Sequence, residues 1–77
     1  MTTEELKENK YITYRCKPKR NSVLSLANYM SLTLYSTQKW VVDYTYKHID
    51  SRDFRLTRKN LTLFLTESEF NKNFEFR

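Results

Sequence analysis

The stretch RLTRKNLTLFLTESEF, residues 55–70, combines a basic cluster with two alternating segments. Apolar and polar side chains alternate on either side of Arg58, Lys59 and Asn60, and this period of two predicts a β-hairpin with a positively charged turn. The chain contains no glycine. Asn60 is therefore predicted to take the positive φ of the turn, because Asn tolerates that conformation better than most residues.

A helix is predicted to follow the hairpin without a linker. Thr66 and Glu69 have the spacing of a capping box, in which each side chain accepts a hydrogen bond from a backbone N–H of the first turn. Phe70 and Phe74 lie at positions i and i+4, so their rings are predicted to stack on one face of this helix.

Two further helices are predicted before the hairpin. The first is capped at residue 21 or 22, and its apolar stripe, with the intervals of an amphipathic helix, consists of Val23, Leu26, Ala27 and Met30. Ser36 caps the second helix, in which Trp40 is the predicted core anchor. A turn of only a few residues separates the two, which is the helix-turn-helix arrangement.

The N-terminal segment differs in charge from the remainder. Residues 1–9 are acidic, and Thr2 and Glu5 have the spacing of a helix start. Residues 11–16 alternate over β-prone side chains and predict a strand, which Pro18 ends before a basic arm. The chain therefore divides into residues 1–20, an acidic N-terminus with a strand and a basic arm, and residues 21–77, a single helix-turn-helix domain with a hairpin and a last helix.

The charge balance favours a polyanionic partner. The chain has 14 Lys and Arg residues against nine Asp and Glu, a formal net charge of +5, which points chiefly to nucleic acid. Cys16 is the only cysteine, so the sequence allows no internal disulfide and no zinc ligand set, and a reducing cytoplasm is expected. No stretch has the composition of a signal peptide or a membrane span.

The sequence shows no recognisable set of catalytic residues. No nucleophile lies in a motif with a base and an orienting acid, and a chain without glycine has no phosphate-cradling loop. The sequence therefore predicts a non-enzymatic protein without a cofactor, a metal site or a small-molecule substrate.

Three segments carry a family resemblance. Residues 24–30 (LSLANYM), 35–40 (YSTQKW) and 58–70 (RKNLTLFLTESEF) resemble the excisionases and the related MerR-type DNA-binding domains, which are small winged helix-turn-helix proteins. The resemblance covers about residues 22–75. It implies an α+β fold with a helix-turn-helix, a two-stranded wing hairpin and a C-terminal helix, and it leaves room for an extra N-terminal strand.

The resemblance also implies a function. It suggests a small DNA-binding protein, either an excisionase-like architectural factor in DNA recombination or a transcriptional repressor, encoded by a phage or another mobile element. The second helix would enter the major groove, and the wing would lie on the backbone or in the minor groove. Double-stranded DNA would be the main partner, joined by a recombinase or by another copy of the protein on adjacent sites.

Three groups of side chains are the predicted DNA contacts. Those on the second helix are Thr37, Gln38, Lys39 and Lys47. Those on the wing are Arg55, Thr57, Arg58, Lys59 and Asn60. Those on the arm are Lys17, Lys19 and Arg20. Lysine and arginine would neutralise phosphates, Gln38 could pair with adenine and Lys39 with guanine, and the arm could reach a minor groove.

Two other interpretations stay open. A ribbon-helix-helix repressor would dimerise through the N-terminal strand and read bases with Tyr11, Thr13 and Arg15. A small protein-binding inhibitor would use the helix pair only as a scaffold. Phe64 lies on the strand face opposite Leu63, so it is either an exposed partner contact or is covered by the N-terminal strand.

Overall fold

The protein, described by a computed structural model for residues 1–9, 12–26, 30–45 and 51–77, consists mainly of β-strands. The strands are β1 (Tyr14–Pro18), β2 (Ser22–Ser25), β3 (Ser31–Leu34), β4 (Trp40–Tyr44), β5 (Phe54–Arg58), β6 (Leu61–Leu65) and β7 (Phe74–Phe76). The helices are α1 (Thr3–Glu8) and α2 (Glu67–Asn73). No helix in this described part combines the length and the apolar composition needed to cross a membrane.

Five strands form one antiparallel sheet in the order β6-β5-β4-β1-β7. Strand β1, from the N-terminal part, lies between β4 and the last strand, β7, so both ends of the chain join the same sheet. Strands β2 and β3 form a separate antiparallel hairpin.

The predicted helix-turn-helix is wrong, because the described parts of its two helices form strands and a loop. In the first segment, β2 pairs with β3, and Val23 and Met30 of the expected apolar stripe are 63% and 60% exposed. Among the described residues of this segment, Leu24 and Leu34 are buried instead, and Ala27 of the expected stripe lies outside the described residues. The i, i+3, i+4, i+7 spacing was coincidental, since the segment is rich in Ser and Thr, which are poor helix formers.

The predicted second helix is replaced by a loop and by β4. The run Trp-Val-Val-Asp-Tyr of β4 is dominated by aromatic and β-branched side chains, which favour extended backbone. Trp40 is a core anchor as predicted, at 2% exposure, but it lies on a strand. The ribbon-helix-helix alternative is also wrong, because β1 is paired on both edges within its own chain. The part of the second helix beyond residue 45 lies outside the described residues until residue 51.

The predicted hairpin is confirmed, although it belongs to the sheet and is not a wing. Strands β5 and β6 pair from Phe54–Leu65 to Arg58–Leu61 around a two-residue turn. The residue with positive φ is Lys59, at 55°, and not Asn60. A positive φ at the first central residue alone is the pattern of a type II′ turn, which matches the twist of the flanking strands.

The predicted helix starts are confirmed at both helices. The side chain of Thr66 accepts a hydrogen bond from the Glu69 backbone at 3.1 Å, and Glu69 accepts one from the Thr66 backbone at 3.0 Å. At α1, Thr2 is the N-cap and accepts a hydrogen bond from the Glu5 backbone. A capped start matters for helices this short, because they have few internal hydrogen bonds.

The core lies between one face of the sheet and the helices. The Phe70 ring of α2 stacks on Phe54 with centroids 5.4 Å apart and on Phe74 at 5.9 Å. The predicted stacking of Phe70 and Phe74 is therefore confirmed, although Phe74 belongs to β7 and not to the helix. Trp40 meets Phe74 edge to face at 5.7 Å. Cys16 is fully buried in this cluster, and burial raises the pKa of its thiol to about 12, so it stays protonated at neutral pH.

The other face of the sheet, the outer face, carries polar and charged side chains. Its exposed members include Arg15, Val41, Arg55 and Thr62. Phe64 lies opposite Arg55 on this face and is half-buried. The predicted cover of Phe64 by the N-terminal strand is wrong, because β4 and β5 separate β1 from β6.

Candidate nucleic-acid interface

Two adjoining clefts lie on one side of the molecule, and each is lined by cations. The first cleft, of about 350 Å³, is lined by Arg15, Lys39, Trp40, Val41 and Arg77. The second cleft, of about 400 Å³, is lined by Thr37, Gln38, Lys39, Arg58 and Lys59. Lys39 belongs to both, so the two clefts form one continuous surface.

We call the five cations of this surface the basic band: Arg15, Lys39, Arg58, Lys59 and Arg77. Within the described residues, none of the five forms an ion pair with a carboxylate side chain. Four of them are exposed, and Arg58 is half-buried. Five positive charges without a carboxylate side-chain partner in the described structure create a positive potential on the adjoining clefts, and this potential attracts polyanions.

The sheet sets the positions of these side chains. Arg77 follows β7, and its backbone N–H donates to the carbonyl of Arg15 at 3.1 Å. Lys39 directly precedes β4. Neighbouring strands lie about 4.8 Å apart, so the three spacings from the β5–β6 turn to β7 span about 14 Å. At about 3.4 Å of helix axis per nucleotide, this length corresponds to about four nucleotides along the axis of a duplex.

Several acidic residues of the described chain lie away from the basic band or are paired with another cation. Helix α1 carries Glu4 and Glu5 in its first turn, and its Leu6 is part of the core, so α1 lies on the opposite side of the sheet from the outer face. On the outer face, Asp43 pairs with Arg55 and Glu75 with Lys17. Arg15 and Arg77 of the basic band thus lie on the face of the sheet opposite the acidic helix.

Of the side chains predicted for a recognition helix and a wing, several meet, although the described residues form neither element. Thr37 and Lys39 of the β3–β4 loop share the second cleft with Arg58 and Lys59 of the hairpin. Asn60 is exposed in the same turn as Lys59. Thr57 is half-buried on β5 between Val41 and Thr62. Lys47 lies outside the described residues.

Gln38 is engaged within the protein. The indole Nε1 of Trp40 donates a hydrogen bond to Gln38 Oε1 at 3.1 Å. A bidentate contact to adenine requires both the oxygen and the nitrogen of the amide. The predicted base contact of Gln38 would therefore have to break this bond and leave a buried indole N–H without an acceptor.

Arg55 is also engaged. Its Nε donates to Asp43 Oδ1 at 2.9 Å, and its Nη2 bonds Asp43 Oδ2, a bidentate pair on adjacent strands. The hydrogen bond with Asp43 raises the pKa of Arg55 above its ordinary value. The predicted phosphate contact of Arg55 is thus opposed by a carboxylate that already neutralises it.

The predicted basic arm is not free in the structure, because residues 17–20 are attached to the C-terminal end of α2. Lys19 Nζ donates to the carbonyl of Asn71, Arg20 donates to that of Lys72 at 3.3 Å, and the backbone N–H of Lys19 donates to Asn73 at 2.9 Å. These are the carbonyls that a helix end leaves without partners. Cations at this end of a helix also interact favourably with the negative pole of the helix dipole. Lys17 pairs with Glu75 at 3.5 Å.

Arg77 is the member of the band that no prediction included, and Arg15 was predicted to contact DNA only in the ribbon-helix-helix alternative. Arg15 is an exposed residue of a strand in which exposed and buried positions alternate. This alternation can be seen in the sequence, so the exposure of Arg15 could have been predicted. Arg77 carries no such signal, because its position depends on the pairing of β7 with β1.

Comparison of the chain with protein-family models, with curated proteins and with solved structures finds no match. Among the residues that the structure describes, no group of three or more His, Cys, Asp and Glu side chains could hold a metal ion.

Proposed function

We propose that the protein binds nucleic acid, with double-stranded DNA as the main partner, by contacting the phosphate backbone through the basic band. The observation that carries this proposal is the continuity of the two clefts through Lys39, which joins five cations without carboxylate partners in the described structure. The chain has a formal net charge of +5. The basic band contains five positive charges, the same number as this net charge.

The contacts proposed are to the backbone and not to base edges. Gln38 and Arg55, two side chains able to read bases, are bonded to Trp40 and Asp43. Phosphate contacts set register and affinity but carry no sequence information. Binding should therefore depend strongly on salt and weakly on sequence.

The proposal is for a binding protein of the cytoplasm and not for an enzyme. A role as an architectural factor or a repressor, with a recombinase as a partner in a mobile element, stays a prediction from the family resemblance. The helix-mediated reading of the major groove that the resemblance implied is not part of this proposal.

The test compares two pairs of charge removals by fluorescence anisotropy with a labelled duplex over a salt series. The band variant is Lys39→Gln with Arg77→Gln. The matched control is Lys19→Gln with Lys72→Gln, which removes the same charge at the end of α2. Each phosphate contact contributes about −0.9 to the slope of log K against log salt, so wild type should approach about −4.5 if all five cations contact DNA.

The band variant should lower that slope in magnitude by about two units, while the control leaves it nearly unchanged. Equal losses in the two variants would mean that only net charge matters. Absence of duplex binding by the wild type at low salt would refute the proposed function.

A second candidate function, binding to another protein, is favoured by one observation. The segment from residue 21 to 38 carries no charge, and within it Val23, Met30 and Tyr35 are between 51% and 63% exposed. Substitution of these three residues by Ser should leave DNA binding intact, so the two surfaces can be tested separately.

A further inference from the structure

The first cleft brings together two arginines at directly opposed positions of neighbouring strands. Cys16 lies opposite Phe76 and Lys17 opposite Glu75, so the next register position sets Arg77 opposite Arg15, as their backbone hydrogen bond of 3.1 Å requires. Opposed residues of an antiparallel pair point to the same face with Cβ atoms about 5 Å apart.

Like charges at directly opposed positions destabilise a sheet. The neighbouring pair of the same two strands has the favourable arrangement, since Lys17 and Glu75 are 3.5 Å apart. Lys39 adds a third cation to the Arg15 and Arg77 cleft, and no carboxylate side chain of the described chain pairs with any of the three. This convergence costs stability unless an anion occupies the cleft.

We infer that the first cleft is a binding site for a phosphate monoester, such as the terminal phosphate of a nucleic-acid strand. Two guanidinium groups can each bind two phosphate oxygens, and the ammonium of Lys39 adds a point charge. A monoester carries about −1.5 to −2 at neutral pH, against −1 for an internal phosphodiester. Three cations are therefore better balanced by a terminal phosphate than by an internal one.

The remaining lining fits the organic part of such a ligand. Val41 is 38% exposed in the lining of the cleft, and Trp40, at 2% exposure, also contributes to that lining. A volume of about 350 Å³ is at the small end of the range for ligand sites, enough for a phosphate with its sugar. The following phosphates of the strand would then meet Arg58 and Lys59 in the second cleft, which shares Lys39. This inference rests on the proposed function for the strand, but the phosphate site itself does not.

The experiment uses the full chain and four probes: a short oligonucleotide duplex with 5′-phosphate ends, the same duplex with 3′-phosphate ends, the same duplex with hydroxyl ends, and inorganic phosphate alone. Binding is followed by anisotropy and by the fluorescence of Trp40, the only tryptophan, which lines the cleft. A terminal phosphate at the preferred end should strengthen binding about tenfold, the effect of one additional charge-assisted contact. That advantage should shrink as the pH falls below about 6, where the phosphate gains a proton.

Two variants locate the effect. Arg77→Gln should abolish the preference for a phosphorylated end, whereas Lys59→Gln in the second cleft should weaken all oligonucleotides equally and keep the preference. Competition by inorganic phosphate with a change in Trp40 fluorescence would support a site for phosphate monoesters in general. This response without oligonucleotide binding would support the site and refute the proposed function.

Salt-dependent binding of all three oligonucleotides with equal affinity, with no response of Trp40 to phosphate, would overturn the inference and leave the proposed function standing. A preference that persists in Arg77→Gln would likewise overturn it, because the phosphate would then be bound elsewhere.

Discussion

Lys59 has a backbone conformation that its side chain disfavours. Its φ of 55° lies in the left-handed region, which costs a residue with a Cβ about 1 kcal/mol or more. We expect Lys59→Gly to raise the free energy of unfolding by about 0.5–1 kcal/mol, because glycine removes this penalty at the first central position of the turn. Urea denaturation measures the change.

The neighbouring residue supplies the control. Asn60 has no positive φ, so Asn60→Gly should lower stability through the greater freedom of the unfolded chain. Lys59→Gly also removes a cation of the basic band, and its duplex salt slope should fall in magnitude by about 0.9. A variant that is more stable and binds less steeply would indicate that Lys59 is retained for its charge. A loss of stability would contradict the assigned turn.

The individual contacts show why residue types alone could not complete the site. Arg58, Lys59 and Lys39 could be selected from the sequence because they are basic and exposed. The pairing of Arg55 with Asp43 could not be predicted from the sequence, because the two residues face each other only when β5 lies beside β4. The same is true of Lys19, whose partner carbonyl on Asn71 is 52 residues away in the chain.

At the scale of elements, Glu67 joins the two helices. Its carboxylate accepts hydrogen bonds from Lys7 Nζ and from the Thr3 hydroxyl, the latter at 2.7 Å. The hydrogen bond from Lys7, followed by that from Thr3, lowers the pKa of Glu67 below its ordinary value of 4.5. A carboxyl with a lowered folded-state pKa stabilises the protein above its unfolded-state pKa, and this contribution is lost as the pH falls through the folded-state value.

We therefore expect Glu67→Gln to lower the free energy of unfolding at pH 7 by about 1 kcal/mol or less, because the pair is only partly screened from solvent. The difference from wild type should vanish in acid, where Glu67 itself is neutral. Glu4→Gln is the control, since Glu4 lies 3.6 Å from Lys7 with a side chain 74% exposed and should change stability little. Thermal unfolding from pH 7 to pH 3 tests this, and a constant difference over that range would exclude the ion pair as the cause.

Local elements could be predicted, and elements defined by distant partners could not. The hairpin has a two-residue turn and α2 has a capping box. The residues that produce each of these signals lie within a few positions of one another in the sequence. Residues 22–34 and 40–44 offered a helical spacing that competed with low helix propensity, and pairing partners decided the outcome in favour of strands. Val23 and Met30, the outer members of the expected stripe, are exposed as a result.

At the scale of the whole molecule, the sheet order brings together charges from the whole length of the chain. Arg15 and Arg77 meet because β7 crosses from α2 to the free side of β1, and no period in the sequence encodes that crossing. The sequence predicts from its net charge that the protein attracts polyanions. Only the fold shows which cations lie together at the two clefts. The candidate interface is thus a property of the sheet topology more than of any motif.

The measurement that tests the central claim most directly is an NMR titration of the labelled full chain with a short DNA duplex. We expect amide and side-chain shifts to change at Arg15, Lys39, Lys59 and Arg77, and the signals of α1 and α2 to stay in place. Added salt should reverse the changes together. Changes centred on α1 or α2, or none at low salt, would contradict the claim that the basic band binds nucleic acid.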